Sequence, residues 1–233
     1  MLKKLDLNKL PRHIGVIVDG NGRWALKRDL PRNLGHKAGI LAIKEFVKNA
    51  KEIGIKCVTF YCFSTENWKR PQDEIDAIFQ YANDFLVNEQ IDYKKENVRI
   101  CTIGDITKLP FDLQKTLIKL TEDTCSNNGI IVNLALNYGS HSEILRAVNN
   151  CLKLNKNQIT REEFENELYT RELPPLDLVI RTSGEQRLSN FLLYQAAYAE
   201  LYFPKLHWPS FNKKALYKAL LEFQRRNRRF GSI

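Results

Sequence analysis

Long apolar runs are missing from this 233-residue chain. No window approaches the roughly 18 uncharged apolar residues of a membrane-spanning helix. The longest apolar stretch, residues 130–136, is broken by Asn133. Residues 1–12, charged at Lys3, Lys4, Asp6, Lys9 and Arg12, lack the apolar centre of a secretory leader. A cytoplasmic protein is expected. Cysteine is scarce: Cys57, Cys62, Cys101, Cys125 and Cys151 are odd in number and show no C-x-x-C spacing. That argues against a disulfide framework or a zinc ribbon and for free thiols, mostly buried, in a reducing compartment. Internal repeats, low-complexity tracts and Gly/Ser linkers are also missing. One domain over residues 1–233 is expected, with 1–12 as an N-terminal extension and 224–233 as a basic tail.

Acidic residues are in deficit, 27 against 36 Lys and Arg, which leaves a net charge of +9. The partner class is therefore anionic: nucleic acid, phospholipid or a phosphorylated small molecule. Zinc-finger spacing and RNP-like aromatic motifs are lacking, which counts against nucleic acid. With 43% hydrophobic residues the chain can bury a core of its own.

Short β-rich runs occur at residues 13–19, 56–63, 98–103, 130–137, 176–181 and 200–203. Helical periodicity lies between them. Ile40, Ile43, Val47 and Ala50 share one face, and so do Ile75, Ile78, Phe79, Ala82, Phe85 and Leu86. Leu145, Val148 and Leu152 form a third, and Leu216, Ala219, Leu220 and Phe223 a fourth. Pro71 followed by Asp73 and Glu74 reads as a helix start and Gly54 as a helix stop. Alternation of apolar strands with helices predicts an α/β domain with a mostly parallel sheet covered on both faces. Such sheets bind ligands beyond the carboxyl ends of their strands.

Those ends are polar. Gly20 to Ala25 satisfies the G-x-G-x-x-A dinucleotide fingerprint, but Asp19 would repel a pyrophosphate held there. The helical pattern also begins only near Lys37, and Glu66 comes too late to bind a ribose. Asp19 beside Gly20, Gly22 and Arg23 reads either as a phosphate and Mg²⁺ site or as a tight turn with Asp19 as its cap. Arg32 and His36 near a helix start are candidates for binding an anion, with Gly35 and Gly39 around them; Arg28 and Lys37 read as a solvated basic loop. The second strand ends in Ser64, Thr65, Glu66, Asn67, Trp68 and Arg70, a polar group with an aromatic wall. The run from Arg181 to Ser189, with Arg187, suits a diphosphate. Glu200 opens an apolar strand, where a carboxylate requires a metal or an arginine partner.

Five blocks together resemble a known family. Residues 13–24 (HIGVIVDGNGRW), 35–39 (GHKAG), 63–71 (FSTENWKRP), 177–182 (DLVIRT) and 200–203 (ELYF) are similar to the cis-prenyltransferases, on the side of the bacterial undecaprenyl diphosphate synthases. The resemblance runs from about His13 to Gly231. It implies a homodimeric, Mg²⁺-dependent isoprenyl transferase that adds isopentenyl diphosphate in cis to an allylic primer such as farnesyl diphosphate. The implied product is undecaprenyl diphosphate, a lipid-carrier precursor for cell-wall polysaccharide. The implied fold is a mostly parallel six-stranded sheet flanked by helices, with a hydrophobic tunnel walled by the helix around residues 75–86.

By the same resemblance, Asp19 is the carboxylate beside Mg²⁺ and the allylic diphosphate. Gly20, Asn21, Gly22, Arg23, Trp24, Arg32, His36 and Arg70 surround that diphosphate, with Ser64, Thr65, Glu66 and Trp68 alongside. Arg181, Arg187, Leu188 and Ser189 match the isopentenyl diphosphate site, and Glu200 a second metal carboxylate supplied in the dimer. Arg229-Phe230-Gly231 matches a C-terminal Arg-x-Gly that reaches isopentenyl diphosphate. Asn67 stands where the family places a candidate proton acceptor; an amide is a poor base, so it is expected to position a water or a diphosphate oxygen. Ser183 departs from a common second glycine, and Gln186 from a histidine of some members. Non-catalytic partner subunits of the family typically lack the first-strand aspartate, which is present here as Asp19.

The charge falls where the resemblance puts diphosphates. Residues 212–233 carry seven basic residues against Glu222, and residues 23–37 carry five against Asp29. Nucleic acid is not needed to explain the excess, and membrane contact is expected to be weak, peripheral and limited to product release.

Overall fold

The computed structural model describes residues 5–88, 93–154 and 156–226. The Arg229-Phe230-Gly231 match and Arg228 lie outside the described residues, as do residues 1–4 of the expected N-terminal extension. The rest of that extension is tied down: Leu5 is buried, and the Gln224 amide donates to the carbonyls of Asp6 and Lys9.

Six strands form one sheet: β1 (His13–Ile17), β2 (Cys57–Ser64), β3 (Val98–Ile103), β4 (Ile130–Tyr138), β5 (Leu178–Arg181) and β6 (Glu200–Tyr202). Their order is β3-β4-β2-β1-β5-β6, and all five pairings are parallel. Around them lie α1 (Asn21–Leu26), α2 (Arg32–Ile53), α3 (Gln72–Asn88), α4 (Phe111–Asp123), α5 (Ser140–Leu152), α6 (Arg161–Asn166) and α7 (Lys213–Arg225). Among the described residues no helix is long and apolar enough to cross a membrane.

Burial on both faces explains why β1, β2 and β5 are mostly apolar rather than alternating, with His13, Thr59, Ser64 and Arg181 as buried polar exceptions. Adjacent residues of β2 serve opposite layers. Phe60 packs with Phe46 and Trp208 on the side of α2 and α7, while Tyr61 stacks on Phe191 and meets Tyr138 on the other. A third cluster, Phe63, Phe79, Leu113 and Leu117, joins the end of β2 to α3 and α4.

Several expectations need correction. A helix does open directly after Gly20, namely α1, and α2 begins at Arg32, not near Lys37. The late helix start therefore no longer argues against dinucleotide binding. Gly35 sits where α1 crosses α2; a Cβ there would come within 2.1 Å of the Asn21 carbonyl oxygen. Packing, rather than an anion, explains that glycine. The apolar face of α5 is real but turned outward, with Leu145 64% and Leu152 63% exposed. All five cysteines are free, but only Cys57 and Cys151 are buried, and Cys125 is exposed.

The strand order positions a site. From β1 the chain moves to β2 on one side, and from β5 to β6 on the other, so their connections diverge. A parallel sheet opens a crevice at such a switch point. Ile17 stands in register with Arg181 there.

Candidate active site

Two clusters of charge line one cavity of about 430 Å³ at this crevice. The first is built on Asp19, just beyond β1. Its Oδ2 accepts from Nη2 of Arg181 at 3.0 Å and from Nε at 3.3 Å, and its Oδ1 from Nη2 of Arg23 at 3.0 Å. The Arg181 side chain is only 6% exposed. Both Nη1 hydrogens are donated, to the Arg187 carbonyl at 2.7 Å and Ser189 Oγ at 2.6 Å, so the guanidinium is fixed in orientation. Glu185 bridges Arg23 and Arg187 at 2.7 Å each. Ser189 and Asn190 both have positive φ, a backbone strain that surrounding contacts must hold. Asn190 supplies such contacts: it donates to Glu66 at 2.9 Å and accepts from the His141 N–H at 2.9 Å.

The second cluster gathers on Glu74, in the first turn of α3. Its Oε1 lies 3.1 Å from His36 Nε2, 3.1 Å from Arg70 Nη1 and 3.7 Å from Arg32 Nη2. Burial raises the carboxyl's pKa, but Arg70, Arg32 and His36 outweigh it, and the net direction is down. His36 is held below its ordinary value, chiefly by burial and despite Glu74. Glu74 keeps the cationic Arg32 and Arg70 together, which would otherwise repel each other, with the His36 ring beside them. Between the clusters lie Ser64 and Asn67, whose reciprocal cap starts the 3-10 turn Thr65–Lys69.

Of the residues singled out in the sequence, the cavity brings together Asp19, Gly20, Asn21, Gly22, Arg23, Arg32, His36, Ser64, Asn67, Arg70, Arg181 and Ser189. The others stand around it. Trp24 donates to Ser210 and carries Arg28 stacked on its ring. Trp68 donates to Asn137 and packs on Phe63 and Phe79, which accounts for an aromatic at that turn. Thr65 lies against Gly139, Glu66 holds Asn190, Arg187 faces Glu185, and Leu188 packs against the Tyr61 and Phe191 cluster. Glu200 is paired with Arg226 at 2.9 Å, one of the two kinds of partner its apolar strand requires.

Glu74 and Glu185 escape the sequence reading. The Arg70–Glu74 spacing of four residues was a visible signal for the first; nothing local announces the second. His207 is a third: its Nδ1 lies 2.8 Å from Ser183 Oγ, and burial, then Lys27 and Arg23, lower its pKa.

The chemistry of this donor set suits Mg²⁺. No group of three or more His, Cys, Asp or Glu side chains gathers as a metal cage among the described residues. Asp19 offers one hard carboxylate, which matches a cation that completes its shell with water and substrate phosphates.

Residues 17–231 match the protein family described as "Putative undecaprenyl diphosphate synthase". An isoprenyl transferase of Clostridium tetani is 46% identical over 236 residues, covering 99% of this chain and 92% of that one. An isoprenyl transferase of Fusobacterium nucleatum is 46% identical over 224 residues, covering 96% and 97%. Lavandulyl diphosphate synthase from Lavandula x intermedia, solved with dimethylallyl diphosphate, superposes with a TM-score of 0.90 at 31% identity, over 97% of this chain and 100% of its own. A probable undecaprenyl diphosphate synthase from Campylobacter jejuni gives 0.79 at 32% identity, over 95% and 99%.

Proposed function

The chain belongs to the undecaprenyl diphosphate synthase family of prenyltransferases, and from that premise we propose that it condenses isopentenyl diphosphate in cis, repeatedly, onto an allylic diphosphate. One observation carries the reading: two separate arginine clusters face one cavity, with a single carboxylate, Asp19, between Arg23 and Arg181. Two diphosphates need two such clusters, whereas a hydride-transfer site with one pyrophosphate does not. The relative solved with dimethylallyl diphosphate supports a prenyl diphosphate as ligand.

The allylic diphosphate is assigned to Arg23, Arg32, His36 and Arg70 with the amides of residues 20–23. Isopentenyl diphosphate is assigned to Arg181, Arg187 and Ser189. As the allylic C–O bond breaks, negative charge grows on the leaving diphosphate, and fixed guanidinium donors stabilise that charge more than the ground state. Mg²⁺, held by Asp19, would add further charge neutralisation on the diphosphate oxygens. The new C–C bond forms at the allylic carbon, and a proton then leaves the isopentenyl unit. Asn67 Oδ1 already accepts the Ser64 N–H, so its amide hydrogens are what it offers a diphosphate oxygen, and the proton goes to a diphosphate oxygen or water.

The growing chain is assigned to a second, apolar cavity of about 760 Å³ between α2, α3 and the sheet, lined by Ile43, Val47, Phe85, Leu86, Ile100, Val132 and Leu134. Undecaprenyl diphosphate made from farnesyl diphosphate is the proposed product and primer. The exposed apolar row of α5 supports a homodimer, in which Glu200 would be the second metal carboxylate.

The test is incorporation of labelled isopentenyl diphosphate with farnesyl diphosphate and Mg²⁺. Wild-type chain should incorporate label only with the metal, and Asp19→Ala should lose at least about 10²-fold in kcat. Incorporation that is absent at saturating Mg²⁺, or unchanged in Asp19→Ala, sinks the reading.

A further inference from the structure

We infer that Ser183 and His207 clamp the main chain of Asp19 and thereby position its carboxylate, an inference that rests on Asp19 acting in prenyl transfer as proposed above. Three donors converge on the Asp19 carbonyl oxygen: Thr182 Oγ1 at 2.7 Å, Ser183 Oγ at 3.0 Å and the Trp208 N–H at 3.0 Å. Behind Ser183 stands His207, its Nδ1 2.8 Å from the hydroxyl oxygen. The next residue, Gly20, has φ +96°, and a Cβ there would lie 2.0 Å from Ser183 Oγ and 2.6 Å from His207 Nδ1. Hydroxyl and ring therefore fill the space that the glycine leaves open.

Ser183 itself has φ +74°, a left-handed conformation that is strained for a serine and costs glycine almost nothing. Its side chain must return something that glycine cannot, and the hydroxyl's contacts show what that is. The direction of the chain of bonds follows from His207 Nε2, which is buried with no hydrogen-bond partner among the described residues. A buried orphan acceptor is more readily tolerated than an orphan donor. The ring proton then sits on Nδ1 and is donated to Ser183 Oγ, and the serine hydrogen is donated to the Asp19 carbonyl. The Asp19 N–H bonds the Ile17 carbonyl at 2.9 Å, so the residue is held on both sides. From that fixed backbone the carboxylate meets Arg23 and Arg181. Ser183 and His207 are positioning residues: they stand outside the lining of the Asp19 cavity and act through where Asp19 stands.

Strain and function make opposite demands at position 183, and that separates this role from a merely structural one. Ser183→Gly relieves the strain and removes the hydroxyl, so it should melt at or above the wild-type temperature. Its kcat should fall on the order of tenfold, with KM for isopentenyl diphosphate within about twofold. Ser183→Ala should lose kcat by the same factor but melt below Ser183→Gly, because it keeps the strain. His207→Phe should lose less, and the double variant with Ser183→Gly should be no worse than Ser183→Gly alone, since the ring acts through the hydroxyl. Amide exchange of Trp208, read on the free protein, should be faster in Ser183→Gly. Wild-type kcat in Ser183→Gly, additive losses in the double variant, or unchanged Trp208 exchange would each overturn the clamp. An inactive wild-type chain would instead overturn prenyl transfer, while the exchange measurement would still decide the clamp.

Discussion

The amide of Asn67 has one half already engaged. Its Oδ1 accepts the Ser64 N–H at 3.1 Å, and the Ser64 side chain accepts the Asn67 N–H in return. A general base needs a free acceptor within reach of the proton it takes; Asn67 has donors to spare instead. Aspartate in its place would keep the cap, because one carboxylate oxygen still accepts from Ser64, but would turn the other toward a diphosphate. Asn67→Asp is therefore expected to be no more active than Asn67→Ala, with both losing on the order of 10²-fold in kcat for one lost donor. Steady-state turnover with isopentenyl diphosphate decides it, and an Asp variant clearly more active than Ala would make the residue a base. At this scale the sequence showed which side chains are cationic but not what organises them. Arg32, His36 and Arg70 are legible one by one. That Glu74 gathers all three depends on α2 meeting α3, and a helix-start acid looks the same whether it caps or bridges. Ser183 likewise reads only as a departure from a common glycine, because a positive φ leaves no mark in a serine.

The strands were legible to within two residues because the central ones are covered on both faces, which makes β1, β2 and β5 read as mostly apolar runs. Shorter and outward-facing elements were not. α1 has six residues, too few to show a period. The apolar row of α5 shows the right period but not which way it faces, since an apolar stripe reads alike against a core or a second subunit. The groove between α2 and α3 has the same ambiguity. Its lining of Val47, Phe85, Leu86 and Val132 would serve as core in a solid protein, yet here it encloses about 760 Å³. Val132, nearly buried on β4, faces that space, so extra bulk there should be accommodated at under about 1.5 kcal/mol, less than in a filled core. Val132→Phe is expected to shift the product to shorter chains and Val132→Ala to longer ones, as read by mass spectrometry of the lipid. Equal product lengths in all three proteins would show that the chain does not grow through this groove.

At the scale of the whole molecule, a polar thread crosses the middle of the sheet. Asn133 donates to Thr59 Oγ1 at 3.0 Å, Thr59 lies 2.7 Å from His13 Nε2, and His13 Nδ1 lies 2.9 Å from the Pro174 carbonyl. With Asn133 donating to Thr59, the Thr59 hydroxyl donates in turn to Nε2, so His13 is neutral and protonated on Nδ1. Burial pushes the His13 pKa from 6.5 down to about 4, against the opposing pull of Pro174 and Asp177. Between those two values the unfolded chain binds a proton that the folded chain refuses. The stability His13 contributes is thus full above pH 6.5 and lost as pH falls toward 4, by about 3 kcal/mol in all. His36, lowered chiefly by burial, adds to the same slope. Glu74, whose pKa is also lowered, adds its loss only further down, below the ordinary carboxylate value of 4.5. Stability from urea unfolding should accordingly drop by about 2 kcal/mol between pH 7 and pH 5. His13→Gln should lower stability at pH 7, because an amide cannot rebuild the thread, and should remove more than half of that pH dependence. A slope of undiminished size in His13→Gln would place the titrating group elsewhere and leave the buried thread without a part in the acid response.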